Sequence, residues 1–182
     1  MSLYRLRLIL LAKHMNKIIV IGCPGSGKST FSKRLHKITK IPLYHLDMLY
    51  WNADKTIVEQ SVFRDKLSKI ITQDAWIIDG NYASTMELRL SACDTVFFLD
   101  YPITMCLNGI EERRGKLRSD LPWIESETDA EFIEFIKNFD RNQRPLITSL
   151  LDKAKNKNIY VFSSREETDS FLIELKQTFE NM

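Results

Sequence analysis

Apolar residues in this chain fall into short β-branched runs separated by stripes of helical spacing. Lys17-Ile18-Ile19-Val20-Ile21 is such a run and predicts a buried parallel strand. Phe31, Leu35 and Ile38 then recur among polar residues at helical spacing. Ile41 to Leu46 predicts a second strand ending at Asp47, and a loop with Trp51 and Asn52 leads to a helix over 58–72 striped by Val58, Val62, Leu67 and Ile70. Ala75 to Ile78 predicts a third strand ending at Asp79-Gly80, and Thr95 to Leu99 a fourth ending at Asp100, with Pro102 opening the next helix. Asn158 to Phe162 reads as the fifth strand, and a last helix over 165–180 gathers Phe171, Leu172, Leu175 and Phe179 on one face.

Helix starts carry their own signal. Thr56-x-x-Glu59, Ser84-x-x-Glu87, Thr128-x-x-Glu131 and Ser164-x-x-Glu167 all satisfy the capping-box pattern. Strands alternating with helices predict an α/β fold, a parallel sheet with helices on both faces. More than fifty residues separate the fourth and fifth strands, too many for one crossover, so an insertion is expected there. Gly115 to Glu127 shows little periodicity between flanking helices and reads as a mobile lid, spanning about 113–128 with its borders.

The turn after the first strand changes the picture. Gly22-Cys23-Pro24-Gly25-Ser26-Gly27-Lys28-Ser29 fills the pattern G-x-x-x-x-G-K-[ST] of the phosphate-binding P-loop, with a strand before it and a helix after it, as the motif requires. Gly22, Gly25 and Gly27 let the backbone curl so that N–H groups, including those of Ser26 and Thr30, point at phosphate oxygens at a helix N-terminus. Lys28 would place a charge on the β- and γ-phosphates, and the Ser29 hydroxyl would bind Mg²⁺.

Composition narrows the class without naming a substrate. The 182 residues, 44% hydrophobic and 27% charged, fit one globular domain over 15–182. Net charge is +2, so nucleic-acid binding would need a local basic patch. Three cysteines without Cys-x-x-Cys spacing favour a reducing cytoplasm over a disulfide or zinc framework. Residues 1–14 mix leucines with Arg5, Arg7 and Lys13, too short to span a membrane and without a cleavage site for secretion. They read as an N-terminal extension, non-native or dispensable, with Met15 as the expected start and a short amphipathic helix as its expected form.

Phosphoryl transfer asks for positioning, Mg²⁺ and cations. Asp79 ends a buried strand beside the P-loop and is the preferred Mg²⁺ carboxylate, with Asp100 the alternative. Asp47 shares a face with His45 by strand alternation, and either accepts the proton of an acceptor hydroxyl or caps the loop at Tyr50-Trp51-Asn52. Arg113, Arg114, Lys116 and Arg118, followed by Arg141 and Arg144, read as lid cations that fold onto the triphosphate, Arg113, Arg118 and Arg141 as catalytic groups and Arg114 as a nucleotide contact. The same run would also serve as a solvated face or touch a nucleic-acid backbone. Arg89 is placed to reach an acceptor's phosphate or carboxylate, or to pair near Glu87 on the surface. Tyr44, Tyr50, Trp51 and Tyr82 would suit a base or sugar ring, with core packing as the alternative for Tyr44.

Together with the P-loop, the segments Tyr44 to Asp47, Leu49-Tyr50-Trp51, Trp76 to Tyr82 and Phe98 to Pro102 resemble the bacterial DNA topology modulation proteins, relatives of the adenylate kinases. The resemblance covers 16 to about 180. It implies a three-layer P-loop NTPase fold with a five-stranded parallel sheet of order 2-3-1-4-5, and ATP as donor. Asp79-Gly80 matches the adenylate kinases, but Asn81-Tyr82 stands where those enzymes carry Phe-Pro-Arg, so the arginine that binds a monophosphate is missing there. The expected function is transfer of the ATP γ-phosphate to a small acceptor, whether a nucleoside, a nucleotide or another hydroxyl metabolite, by a cytoplasmic monomer or homodimer. The alternative is an ATP-binding regulator of DNA topology with weak turnover. Nothing in the chain resembles a DNA-reading element, so direct DNA contact is not expected. A GTPase switch is disfavoured because no Asn-Lys-x-Asp segment is present.

Overall fold

The computed structural model describes residues 3–125, 127 and 129–182, residues 3–5 by backbone alone. Helix α1 (Leu3–His14) precedes strand β1 (Lys17–Gly22), whose five residues from Ile18 onward are all buried. The P-loop follows, and Gly27 at φ 88° launches helix α2 (Lys28–Thr39), a backbone angle that a side chain would oppose. Then come β2 (Leu43–His45), α3 (Leu46–Tyr50), α4 (Gln60–Ile71), β3 (Trp76–Asp79), α5 (Ala83–Ala92) and β4 (Thr95–Leu99). The chain continues through α6 (Ile103–Arg113), α7 (Ala130–Lys137), α8 (Phe139–Asn142), α9 (Arg144–Lys153), β5 (Asn158–Phe162) and α10 (Arg165–Glu180).

The sheet is parallel throughout, in the order β2-β3-β1-β4-β5. Strands β1, β3 and β4 at its centre are covered on both faces, which is why they read as unbroken apolar runs rather than alternating ones. On β5, at the edge, Val161 is exposed. Phe31 of α2, Phe97 of β4, Phe162 of β5 and Phe171 of α10 form one aromatic core with centroid separations of 5.1–6.5 Å. Helix α1 packs on α10, and Leu8 and Leu11 are buried in the core with Met15.

Strands four and five and the last helix match the expected bounds, whereas the region after β2 does not. The second strand stops at His45, and Leu46 to Tyr50 form a helix too short to show periodicity. Asp47 therefore reaches its place from the first turn of α3, and strand alternation with His45 does not apply. Of the expected capping boxes, Ser164 caps α10 by accepting from Glu167 N, while the Glu167 carboxylate accepts from Ser163 N at 2.7 Å. Thr56 instead bonds Asp54 in a turn, and Glu59 is the cap of α4. Ser84 lies inside α5, which Tyr82 precedes as cap. The Thr128 box falls outside the described residues, and Asp129 caps α7. Among the described residues, no helix is long and apolar enough to cross a membrane.

Candidate active site

A cleft of about 760 Å³ opens at the carboxyl ends of β1, β3 and β4, where ligands of open α/β sheets bind. Gly25 to Thr30 form its floor, Asp47, Trp51, Asn81 and Tyr82 one wall, and Arg113, Lys116, Leu117, Arg118 and Asp120 part of its roof.

The loop is held from three sides. Asn81 clamps Gly22, its Oδ1 accepting from Gly22 N at 3.0 Å and its Nδ2 donating to Gly22 O at 2.8 Å. Gly25 lies against α6 so closely that a Cβ there would sit 2.0 Å from Cys106 O, and a Cβ on Gly109 would sit 2.1 Å from Gly25 O. Lys28 Nζ donates to Gly22 O at 2.9 Å and Cys23 O at 3.0 Å. Burial pulls the Lys28 ammonium below its usual pKa, and Asp47 and Asp79 lie near enough to oppose that shift. Ser26 Oγ is buried with no hydrogen-bond partner among the described residues, an orphaned hydroxyl within the loop. Loop, orphan and cation together fit a polyphosphate.

Two carboxylates stand near Lys28 with different environments. Asp79 is buried, and both its oxygens lie 2.9 Å from His45 Nδ1, which donates to them, so His45 orients this acid. Asp47 is half-buried and accepts from the Tyr82 hydroxyl at 2.6 Å. Burial raises the Asp47 pKa above the carboxylate range, against the lowering effect of Tyr82 and Lys28. Tyr82 itself sits at φ 37°, a left-handed conformation for a bulky residue, held between Tyr50 and Phe63 at 4.8 and 5.4 Å. Ser29 lines the cleft, so Ser29 and the Asp79 side are the groups able to hold Mg²⁺ beside a phosphate. Among the described residues, no three ligating side chains converge to bind a metal alone.

The cations of the segment expected to form a lid are tied to its own acids. Glu125 forms an ion pair with Arg113 at 3.0 Å, accepting a hydrogen bond from its Nη2 at 3.1 Å, and accepts from Arg118 at 2.5 Å. Asp120 is 2% exposed and accepts from Arg118 and, at 3.2 Å, from Lys33 of α2. Burial alone would push the Asp120 carboxyl up, but Arg118, Ser29 and Lys33 outweigh it and hold it well below the usual range. At the far end, Trp123 meets Trp51 edge-on at 5.5 Å, so the segment touches both ends of the cleft.

Several expected roles move. Arg89 neither faces the cleft nor pairs on the surface, because it is fully buried and its guanidinium donates to Gly80 O, Asn81 O and Tyr82 O. Arg144 leaves the lid set, since it holds Asp100 through Nε at 2.8 and 2.9 Å, which also removes Asp100 as a metal carboxylate. Arg141 is exposed on α8 and is not part of the cleft wall, and Arg114 pairs with Glu111 at 2.5 Å outside it. Gly22 supports the loop from beneath the wall rather than lining it. Sequence reasoning missed Asn81, Gly109, Asp120 and Glu125 as site residues. Gly109, a lone glycine amid helical periodicity, carried a readable signal; the others act through contacts distant in sequence.

The chain is 31% identical over 94 residues to the adenylate kinases of Thermotoga petrophila and Thermotoga maritima, a match spanning 50% of this chain and 42% of those relatives. It thus spans less than half the length of the curated relatives it matches. No protein-family model matches. Among solved structures, shikimate kinase from Acinetobacter baumannii in complex with shikimate superposes with a TM-score of 0.60 at 12% identity, over 95% of this chain and 97% of that one. Shikimate kinase from Bacteroides thetaiotaomicron gives 0.59 at 16%, over 91% and 99%. A gluconokinase from Sinorhizobium meliloti 1021 gives 0.53 at 10%, over 91% and 92%. The fold is that of the P-loop kinases.

Proposed function

We propose that this protein is a Mg²⁺-dependent phosphotransferase that moves the γ-phosphoryl group of ATP to a hydroxyl of a small acceptor. One observation carries the reading: a single cleft holds the P-loop with Lys28 at its floor and, opposite, the Asp47–Tyr82 pair at 2.6 Å, under a roof bearing Arg113 and Arg118. In the reaction the acceptor oxygen bonds to the γ-phosphorus, its proton passes to Asp47, the bond to the β–γ bridging oxygen breaks, and ADP leaves. Lys28 would bind the β- and γ-phosphates. Arg113 and Arg118 would exchange Glu125 for phosphate oxygens as charge spreads over the transferred group. Mg²⁺, held by Ser29 and the Asp79 side, would neutralise phosphate charge.

The kinase folds and the adenylate kinase likeness support this reading, and the free, buried state of Cys23, Cys93 and Cys106 suits a cytoplasmic setting. The finer resemblance to the topology modulation proteins rests on the segments around Asp47 and Asp79 that wall the cleft. The pairing of Arg113 and Arg118 inside the lid favours a phosphate-binding role over contact with a DNA backbone. The test is ADP release from ATP with a panel of hydroxyl acceptors. Lys28→Ala should abolish an acceptor-dependent rate, and a rate indifferent to Lys28 would refute the assignment.

A further inference from the structure

We propose that the acceptor is an uncharged, ring-bearing hydroxyl compound, a sugar or the ribose of a nucleoside, rather than a phosphorylated or carboxylated one. This rests on the phosphotransferase reading and names its substrate class.

The acceptor end of the cleft is aromatic and acidic. Its wall consists of Asp47, Trp51, Asn81 and Tyr82, backed by Tyr50 at 4.8 Å from Tyr82 and 5.1 Å from Trp51. Such faces stack on sugar and base rings, and a half-buried carboxylate takes the proton of a ring hydroxyl. A charged acceptor needs a cation there, taken from water and free to pair. The side chain placed by sequence to supply it, Arg89, is 0% exposed and spends its donors on the carbonyls of Gly80, Asn81 and Tyr82. Arg113 and Arg118, the two roof cations coupled to Asp47, pair with Glu125 and Asp120 and, when released, serve the transferred phosphoryl group rather than the acceptor. Lys116 is the cleft cation with no partner among the described residues, and it is exposed on the lid beside Leu117, which is 82% exposed. An anion would instead meet Asp47 with Asp79 behind it, and like charges brought together on binding are strongly selected against.

The experiment measures Mg²⁺- and Lys28-dependent ADP release with matched pairs: nucleosides against their 5′-monophosphates, and sugars or sugar alcohols against their acids and phosphates. The uncharged member of an active pair should exceed its charged partner by at least about 100-fold in kcat/KM. Activity confined to nucleosides or to free sugars identifies the source. Trp51→Ala should raise the acceptor KM about tenfold or more and leave ATP affinity unchanged, with Trp51→Phe restoring it. Lys28-dependent turnover that prefers the charged members overturns this inference and leaves the phosphotransferase reading standing. Absence of Lys28-dependent turnover with every member, while ATP binds, overturns both. An unchanged acceptor KM in Trp51→Ala removes the aromatic wall from recognition and with it the ring-bearing class.

Discussion

Gly109→Ala separates helix propensity from P-loop positioning, because the two act in opposite directions. Position 109 lies inside α6 with ordinary helical geometry, so alanine should stabilise the isolated helix by about 1 kcal/mol. Yet the added Cβ would sit 2.1 Å from Gly25 O and 3.1 Å from Gly25 C. Comfortable C···O contact begins at about 3.3 Å, so α6 or the P-loop must retreat by roughly 1 Å. Neither can yield cheaply. Gly25 O belongs to backbone, and the reverse contact at Gly25, 2.0 Å from Cys106 O, shows the same tight seam from the other side. Overpacking of this kind costs about 1–3 kcal/mol, so net stability should change by no more than about 2 kcal/mol. A loop moved by that distance misaligns one N–H donor or more toward a charged phosphate, worth about 1.5–3 kcal/mol, or roughly 10- to 150-fold in ATP affinity. Calorimetric titration with a non-hydrolysable ATP analogue, beside urea unfolding, reads both quantities. ATP affinity within twofold of wild type, with stability raised by about 1 kcal/mol, would show that the seam is soft and refute the reasoning.

Asp120→Asn unlatches the lid from α2. Lys33 is 37% exposed and its share is small, so the loss is set mainly by Arg118 and should be about 2 kcal/mol at pH 7, or a fall in Tm of about 4–8 °C. Because the folded Asp120 pKa is lowered, its stabilisation is present above the unfolded value near 3.9 and is lost as pH falls toward the folded one. The gap between wild type and variant should therefore shrink by about 0.7 kcal/mol at pH 3.5, and a gap independent of pH excludes an ionic latch. Asp47 has a raised folded pKa, so its contribution to stability is present below the unfolded value and lost as pH rises through the folded one. Asp47→Asn should accordingly be no less stable than wild type at neutral pH while losing turnover, and the wild-type rate should climb with pH as Asp47 ionises; an active variant would reassign the proton acceptor. Removal of residues 1–14 takes away the buried Leu8 and Leu11, so Tm should fall by several degrees, while ATP affinity stays within twofold. A tenfold loss of affinity would give α1 a role in the site.

Local constraints made the donor half of the cleft legible. The run Lys17 to Ile21, the glycines that follow and the stripe of Phe31, Leu35 and Ile38 specify strand, turn and helix through short-range sterics and periodicity, and the central strands read as apolar runs because both faces are buried. Charge and residue type alone misled where the partner is remote. Arg89 and an acceptor-binding arginine look alike in sequence; only packing shows that its guanidinium ends on three backbone carbonyls. Arg144 and Arg118 are equally basic, yet one crosses to Asp100 and the other joins Glu125 in the roof. Asp47 enters the site through a five-residue helix too short to leave a periodic trace. The sequence by itself determined the shape of the loop between β1 and α2, since φ > 0 glycines and a lysine at that spacing leave the chain few other shapes. Tertiary structure decided which charges line the cleft and which are consumed inside the protein, because an ion pair or a carbonyl cap depends on contacts between residues far apart in the chain.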